Sequence, residues 1–496
     1  VTREKADSMR IHLVAVAGTG MAQLAKLFRD AGHDVSGSDV AFDPPMGPAL
    51  AAAGIRCLSG FRAEHITKEF DLVVVGNAVR KDNPEALRAI ELGLRRTSMS
   101  GALREHFLTG KRPLIVAGTH GKTTTSAMAA WILEQGGFEP GFFIGGLPKN
   151  FEAGARAASS KRKLLGNAAR PSPFVVEGDE YDAVYWKKEP KFFDYLTPNP
   201  ESDDVVIVTS VEHDHIDIYP SADVYEHQFV ELARRVGGKG LLVCDARDPR
   251  ASAIVQQNAR AKTTFYALDG DDTGSVTPTW LGALAPVDPE TGAQPFDLYL
   301  GGSYGGRFAL QVPGAHNVRN AIGALAACAE GFGVELEKAR RALAMFQGVR
   351  RRQDLLGTPS GIAVYDDFAH HPTAVIETLR ALRARHPNGA LWAVFEPRSA
   401  TACRNLHQQA YAEAFKDADR VLFAPLGRTN IPESERLDVG RIARELGDRA
   451  EATTSVESIL TILRQEAKAG DAIALLSNGA FGGLHARLLS ALGERA

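Results

Sequence analysis

The chain has 496 residues, too many for one hydrophobic core, so two to four domains are expected. Hydrophobic residues make up 44% and charged residues 24%, the balance of a soluble globular protein and not of a disordered or fibrous one. With 57 basic and 60 acidic residues the net charge is −3, which gives no global reason to expect nucleic acid or an anionic membrane as partner.

Residues 1–8, VTREKADS, are polar, precede Met9 and are set outside the fold. The run IHLVAVA (11–17) reads as a buried strand, followed by Gly18, Thr19, Gly20 and Met21, a helix through AQLAKLFRDAG, and a second strand, HDVSGSD, that carries Ser38 and ends at Asp39. Strand, glycine turn, helix, strand and acid make half of a dinucleotide-type unit. The third glycine of that fingerprint is missing, since Leu24 stands at its place, so a purely structural turn is the competing reading. Further strands at 72–78 and around RRTSMS complete an α/β nucleotide-binding domain over 10–112.

Residues 113–124, PLIVAGTHGKTT, give the strongest local signal. A short apolar strand runs into Gly118, Thr119, His120, Gly121, Lys122, Thr123 and Thr124, and then into the helical stretch SAMAAWILEQ. This is the order of a phosphate-binding loop: glycines let N–H groups curl round phosphate oxygens, and the new helix turns its positive end towards them. Lys122 supplies a mobile cation, and the hydroxyl after it is placed to hold Mg²⁺. Gly118 and Gly121 are only two residues apart, so the loop is a shortened variant. The alternative is an ordinary glycine turn. Downstream, GFFIGGLPKNF (141–151) is glycine-rich and apolar, and the basic stretch 155–172 reads as an exposed loop or an irregular hairpin.

Two further buried strands end in polar clusters: PFVVEGDEYD (173–182), with Glu177 and Tyr181, and DVVIVTSVEHDHIDIY (204–219), with His213 and His215. Ligands of an open parallel sheet collect outside the carboxyl ends of its strands. If these strands neighbour the one before Lys122, their acids and imidazoles converge on the bound phosphates. Thr123 and Glu177 suit Mg²⁺, and a histidine on a second divalent ion is less usual. Each of these residues taken alone reads equally as a solvated loop group. Residues 270–311 suggest a small antiparallel β excursion. A helix then starts near His316, with Asn317 and Asn320 placed either to cap it or to read an adenine edge.

At FQGVRRRQD (346–354) three arginines occupy a domain joint, either as a solvated charge run or as a clamp for a γ-phosphate on closure. The remaining chain alternates strand and helix, a third α/β domain over 348–496, with 113–347 as the central one. Its first strand ends in Asp366, Asp367, Phe368, Ala369, His370 and His371, and its second in Glu396, Pro397, Arg398 and Ser399. The four cysteines, Cys57, Cys244, Cys328 and Cys403, form no Cys-x-x-Cys pair and read as buried free thiols of a reducing compartment. No apolar run reaches a membrane span and no signal peptide is visible, so the cytoplasm is the expected location.

Taken together and in this order, GTHGKTT, EGDEYD, EHDHIDIY, GAHNVRN, RRRQD and DDFAHHPTA resemble the Mur ligase family, from about residue 10 onward. The resemblance implies ATP-dependent amide-bond ligases of peptidoglycan synthesis with a three-domain architecture. A Rossmann-like N-terminal domain binds the UDP of a UDP-sugar, a P-loop ATPase central domain binds ATP and Mg²⁺, and a Rossmann-like C-terminal domain closes over nucleotide and amine. By that likeness Gly18, Gly20, Met21, Ser38 and Asp39 meet the UDP-sugar. Lys122 contacts the β/γ-phosphates within the loop Gly118 to Thr124. Thr123 and Glu177 hold one Mg²⁺, and His215 a second. Asn317 or Asn320 meets the adenine, and Arg352 and Asp367 approach the nucleotide from the joint and the third domain.

The stretch SADVYEHQFVELARR lacks the lysine that several family members carbamylate, so the chain resembles the branch acting on UDP-N-acetylmuramate. Two activities compete there: addition of L-alanine, and addition of the recycled murein tripeptide L-alanyl-γ-D-glutamyl-meso-diaminopimelate. IGGLPKNF, EGDEYD with Tyr181, DDFAHHPTAV and FEPRSATA with Arg398 resemble the tripeptide branch. A silent, nucleotide-binding regulatory relative is the reading from another class, and intact Lys122, Glu177 and His215 speak against it. The base that deprotonates the amine is not identified; His370 and His371 stand as candidates beside a structural role. Oligomeric state is left open, with a monomer favoured.

Overall fold

The protein is described by a computed structural model covering residues 8–43, 46–159, 163–165, 168–428 and 430–494. Seven of the eight N-terminal residues set aside above thus lie outside the described residues. Of the basic stretch 155–172, Lys163–Leu165 and Ala168–Arg170 pair as antiparallel strands, and residues 160–162, 166 and 167 lie outside the described residues.

Three sheets organise the chain. The first is wholly parallel, in the order Arg56–Ser59, Asp34–Asp39, Arg10–Val14, Leu72–Val75, Arg96–Ser98. Its central strands are apolar on both faces because helices cover both. Ile11, Leu13, Val73 and Val75 are fully buried. The order reverses beside Arg10–Val14, and the glycine turn lies at that switch point.

The second sheet has ten strands. At its centre Arg112–Ala117 lies between Pro173–Glu177 and Val205–Val208, all parallel, with Glu177 in register with Val116 and Val208 with Ala117. The three polar clusters therefore leave the sheet side by side at one end, as the apolar runs required. Trp280–Leu284, Gln294–Leu300 and Ser303–Leu310 form the expected β excursion, but they are no separate unit. Trp280–Leu284 continues the parallel order beside Lys262–Leu268, and the next two strands extend the sheet antiparallel. Their alternating faces bury Phe296, Leu298 and Phe308 against the helix Ala315–Ala326.

The third sheet has six strands and places Ala363–Asp367 next to Ala472–Leu476, with Leu391–Phe395 on the far side of the latter. The antiparallel edge Asp354–Gly357 was not legible in the sequence, because Leu355 and Leu356 give too short a pattern. The first sheet is fastened to the second by several contacts, two of them beside its parallel strands and its last helix. The hairpin Asp182–Val184/Lys187–Pro190 buries Val184 in the cluster of Val14, Val73 and Val75, and Ser100 Oγ donates to Asp194 at 2.6 Å. Among the described residues no helix is long and apolar enough to cross a membrane. All four cysteines are free; three are buried and Cys57 is half-buried.

Candidate active site

Arg112–Ala117 ends in Gly118, whose φ of +130° belongs to glycine, and Gly121 (φ +80°) caps the helix Lys122–Gln135. Both positions are also crowded: a Cβ at Gly118 would collide with Thr209 and Ser210, and one at Gly121 with the Asn320 amide. The loop is thus locked against Val205–Val208 on one side and Ala315–Ala326 on the other. The N–H groups of the first turn of Lys122–Gln135 have no partner within the helix and open onto the crevice.

Beside the loop the Thr123 hydroxyl donates to Glu177 Oε1 at 2.9 Å, and the Gly145 N–H donates to Glu177 Oε2 at 2.7 Å. Burial raises the Glu177 carboxyl above its ordinary value despite Gly145, Lys122 and Thr123, which favour its ionised form. Arg352 Nη2 reaches the same hydroxyl at 3.4 Å and lies 4.9 Å over the Phe368 ring.

Lys122 takes a different partner. Its Nζ donates to Gly118 O at 2.6 Å, to Thr119 O at 3.1 Å and to Glu180 Oε1 at 2.9 Å. His215 Nε2 meets the same Glu180 oxygen at 2.8 Å. Burial by itself would raise the Glu180 carboxyl, but the Lys122 ammonium and His215 outweigh it and hold it below the usual carboxylate range. Burial also works against charge on Lys122 and His215, and Glu180 reverses both, so both are raised. His215 (φ +54°) carries backbone strain, and the Tyr181 ring lies 4.3 Å from its own. His213 faces away, its Nε2 at 2.8 Å from Tyr219 O.

Next to the loop opens a cavity of about 360 Å³. His120, Gly121, Thr123 and Thr124 form its floor, Asn317 and Asn320 one wall, and Arg352 and Asp367 the side towards the third sheet. Its far end is polar. Arg319 forms a fork on Asp271, and Glu377 receives Arg247 at 3.2 Å and lies 3.7 Å from His316. Asp245, buried there, has its carboxyl pushed up to about 7 by burial. Asn317 does not cap its helix. Its Nδ2 donates to Pro313 O at 2.8 Å, and Gly314 takes the cap position. Asp367 accepts the Gln353 and Ala369 N–H groups at 2.7 Å each, and burial raises it.

The third sheet docks onto the same end of the second. Thr401 Oγ1 donates to Asp214 at 2.7 Å, and Thr373 Oγ1 to Glu212 at 2.9 Å. His370 Nδ1 is held by Phe368 O at 3.0 Å. His371 is 4% exposed, accepts the Thr373 N–H, and is pulled down to about 3 by burial. Burial thus works against a proton on His371, which weighs against a role as the base. Arg398 is half exposed beside Gly427 and Gly479, with Nη1 3.6 Å from Glu396 Oε1.

The first glycine turn departs more from expectation. Ser38 is fully buried and gives its hydroxyl to Glu85, while Met21 is 5% exposed, inside the core. Neither side chain faces the crevice, because each completes the packing under the turn. Gly20 makes room for Met99 and Phe143, and Asp39 holds the turn by accepting the Ala17 N–H at 2.9 Å.

Three family models match the chain: "Mur ligase family, catalytic domain" over residues 10–109, "Mur ligase middle domain" over 199–328, and "Mur ligase, glutamate ligase domain" over 351–479. The UDP-N-acetylmuramate–L-alanyl-γ-D-glutamyl-meso-2,6-diaminoheptandioate ligase of Escherichia coli is 35% identical over 98% of this chain and 99% of its own length. This chain belongs to the Mur ligase family. A UDP-N-acetylmuramate–L-alanine ligase of Chloroflexus aggregans is 36% identical, over 88% of this chain and 86% of that one. The crystal structure of a murein peptide ligase from Psychrobacter arcticus superposes with a TM-score of 0.70 at 32% identity, covering 98% of this chain and 99% of that one.

As a Mur ligase the protein is an ATP-dependent enzyme that forms C–N bonds. In this Mur ligase, sequence reasoning missed Glu180, the partner of both Lys122 and His215. It stands in EGDEYD among four acids, and nothing in the motif tells which one turns inward. The Arg319–Asp271 fork was also missed; the available signal was an arginine amid the small apolar residues of a helix, which needs a buried partner.

Proposed function

We propose that this enzyme joins the tripeptide L-alanyl-γ-D-glutamyl-meso-diaminopimelate to UDP-N-acetylmuramate at the expense of ATP, in peptidoglycan recycling. The observation that carries the reading is the full-length match to the tripeptide ligase of Escherichia coli, 98% and 99% of the two chains. The L-alanine ligase remains the second reading because its relative is as similar in identity, at 36%, though over 88% of this chain.

ATP fits the cavity beside the loop. The helix N-terminus meets its phosphates, and Asn317, Asn320 and the polar far end its base. Thr123 and Glu177 are hard oxygen donors already in contact, the donor set Mg²⁺ takes beside phosphates. When bound there, Mg²⁺ neutralises phosphate charge, and His215 with its Glu180 partner offers a second position. Lys122 leaves Glu180 for the phosphates, and Arg352 adds a second cation from the joint. Together they stabilise the charge that spreads as the γ-phosphoryl passes to the lactoyl carboxylate. The resulting acyl phosphate is attacked by the free amine of the tripeptide's alanine, and phosphate leaves. The contacts of Thr373 and Thr401 with Glu212 and Asp214 close the third domain over the crevice and keep water from the acyl phosphate. Arg398 stands half exposed just past Leu391–Phe395 and, by turning from Glu396, takes a peptide carboxylate through its fork.

Purified enzyme offered L-alanine and tripeptide in competition, with ATP and UDP-N-acetylmuramate, is expected to give the tripeptide product by mass spectrometry. A product carrying only L-alanine would replace this reading with the alanine ligase.

A further inference from the structure

His120, Glu212 and His371 bring three donor atoms within 4.8 Å of one another. His120 Nε2 lies 2.7 Å from Glu212 Oε2, and His371 Nδ1 lies 3.7 Å from the same oxygen. His120 and Glu212 belong to the second sheet's loops, His371 to the third domain. The rings of His120 and His371 are 4.9 Å apart. None of the three contributes to the Thr123–Glu177 pair or to the Lys122–Glu180–His215 group.

A second observation marks this group as a site. His371 is 4% exposed; its Nδ1 accepts the Thr373 N–H at 3.4 Å and its Nε2 has no hydrogen-bond partner, which leaves Nε2 as the nitrogen for an ion. A buried imidazole nitrogen without a partner is costly in a site that serves packing alone. Glu212 is fixed from outside the group, since Thr373 Oγ1 donates to both of its oxygens, at 3.1 and 2.9 Å. A carboxylate oriented by a hydroxyl is how a metal ligand is commonly held. Ligand bonds of about 2.0–2.2 Å put the donors of one tetrahedral ion roughly 3.3 Å apart. The three donors lie within 4.8 Å of one another, with His120 Nε2 and Glu212 Oε2 at 2.7 Å, so side-chain shifts of roughly 1–2 Å bring them to that spacing.

We propose that His120, Glu212 and His371 form a binding site for one divalent transition metal of the zinc class, distinct from the Mg²⁺ position. Two imidazoles and one carboxylate suit Zn²⁺, Co²⁺ or Ni²⁺; Mg²⁺ demands oxygen ligands. The fourth ligand position faces the nucleotide cavity, which His120 and Glu212 line. Because the ligands come from two domains, the ion ties the third domain to the central one and holds the closed arrangement. An enzyme that must open to release product is then slowed by the ion.

The test is Zn²⁺ binding to the full chain by calorimetry with excess Mg²⁺ present, and the visible spectrum of the Co²⁺-loaded protein. The expected result is one ion per chain and a ligand-field spectrum of tetrahedral or five-coordinate Co²⁺. Affinity should drop at least tenfold in His371→Ala and in Glu212→Gln, and stay within twofold in Glu177→Gln. Zn²⁺ should also raise the melting temperature of the parent and not of the two variants. His120→Gln guards against a folding defect at position 371: it keeps bulk and polarity, and must also lose the Co²⁺ spectrum. Absence of Zn²⁺ binding under Mg²⁺, or binding lost in Glu177→Gln and kept in His371→Ala, overturns the proposal. The first outcome leaves the three residues as a hydrogen-bonded domain contact; the second puts the ion at the Mg²⁺ position.

Discussion

The chain contains two glycine turns of the same outward form, a parallel strand, Gly-x-Gly or Gly-x-x-Gly, and a helix. They use their glycines for different ends. At Gly118 and Gly121 the backbone is left-handed and hemmed in by Thr209, Ser210 and Asn320, so glycine is required twice over. Gly18 has an ordinary φ of −65° and no close neighbour, and Gly20 is needed only to let its helix lie against Met99 and Phe143. The residue of the first turn with unusual backbone is Ala15 (φ +68°), where no motif would look. A glycine pattern in backbone forced to positive φ, with a cation after it, is the stronger announcement of a phosphate site. Lys122 meets that condition; the residue after Gly20 is Met21, turned into the core.

This contrast can be broken, first, at the cation. Lys122→Ala is expected to lower phosphate release by about a hundredfold or more, while UDP-sugar binding, measured calorimetrically, is unchanged. Equal losses of both would mean that the two turns serve one ligand. Second, Gly121→Ala should weaken nucleotide binding at least tenfold, since strain at positive φ costs on the order of 1–2 kcal/mol before the collision with Asn320 is counted. Gly18→Ala should leave the melting temperature within about 2 °C of the parent, as substitutions in open space usually do. A melting temperature lowered as much by Gly18→Ala as by Gly20→Ala would remove the distinction.

Third, Glu180→Gln tests what Lys122 does before nucleotide arrives. Without the carboxylate that competes with phosphate for Nζ, ATP binding should tighten severalfold while turnover falls, because His215 loses its partner. A purely structural Glu180 would weaken ATP binding instead.

The smallest effect expected is in acid. Burial works against charge on Glu377, and His316 and Arg247 outweigh it and hold its carboxyl at about 2. A carboxyl lowered on folding stabilises the protein above its unfolded value, near 4.3, and loses that contribution as pH falls towards 2. The melting temperature of Glu377→Gln should therefore converge on that of the parent between about pH 4.5 and pH 2. Parallel curves through that window would show that the Arg247–Glu377 contact does not hold the two domains together.

Much of this was legible beforehand because it is local. Apolar runs ending in polar clusters fixed the parallel strands, and Lys122 and Thr123 follow their glycine by covalent sequence. Binary pattern and turn chemistry act over a few residues, so one dimension suffices for them. What decided the rest was proximity between residues far apart in the chain. Glu180 finds Lys122 at a separation of 58 residues, Thr373 finds Glu212 at 161, and Arg352 finds Thr123 at 229. Which of four acids in EGDEYD turns inward, and whether Ser38 meets a ligand or Glu85, depends on what the other domains place opposite. Sheet order and domain docking set that partner, because a buried charge is tolerable only where a counter-charge from elsewhere in the fold reaches it.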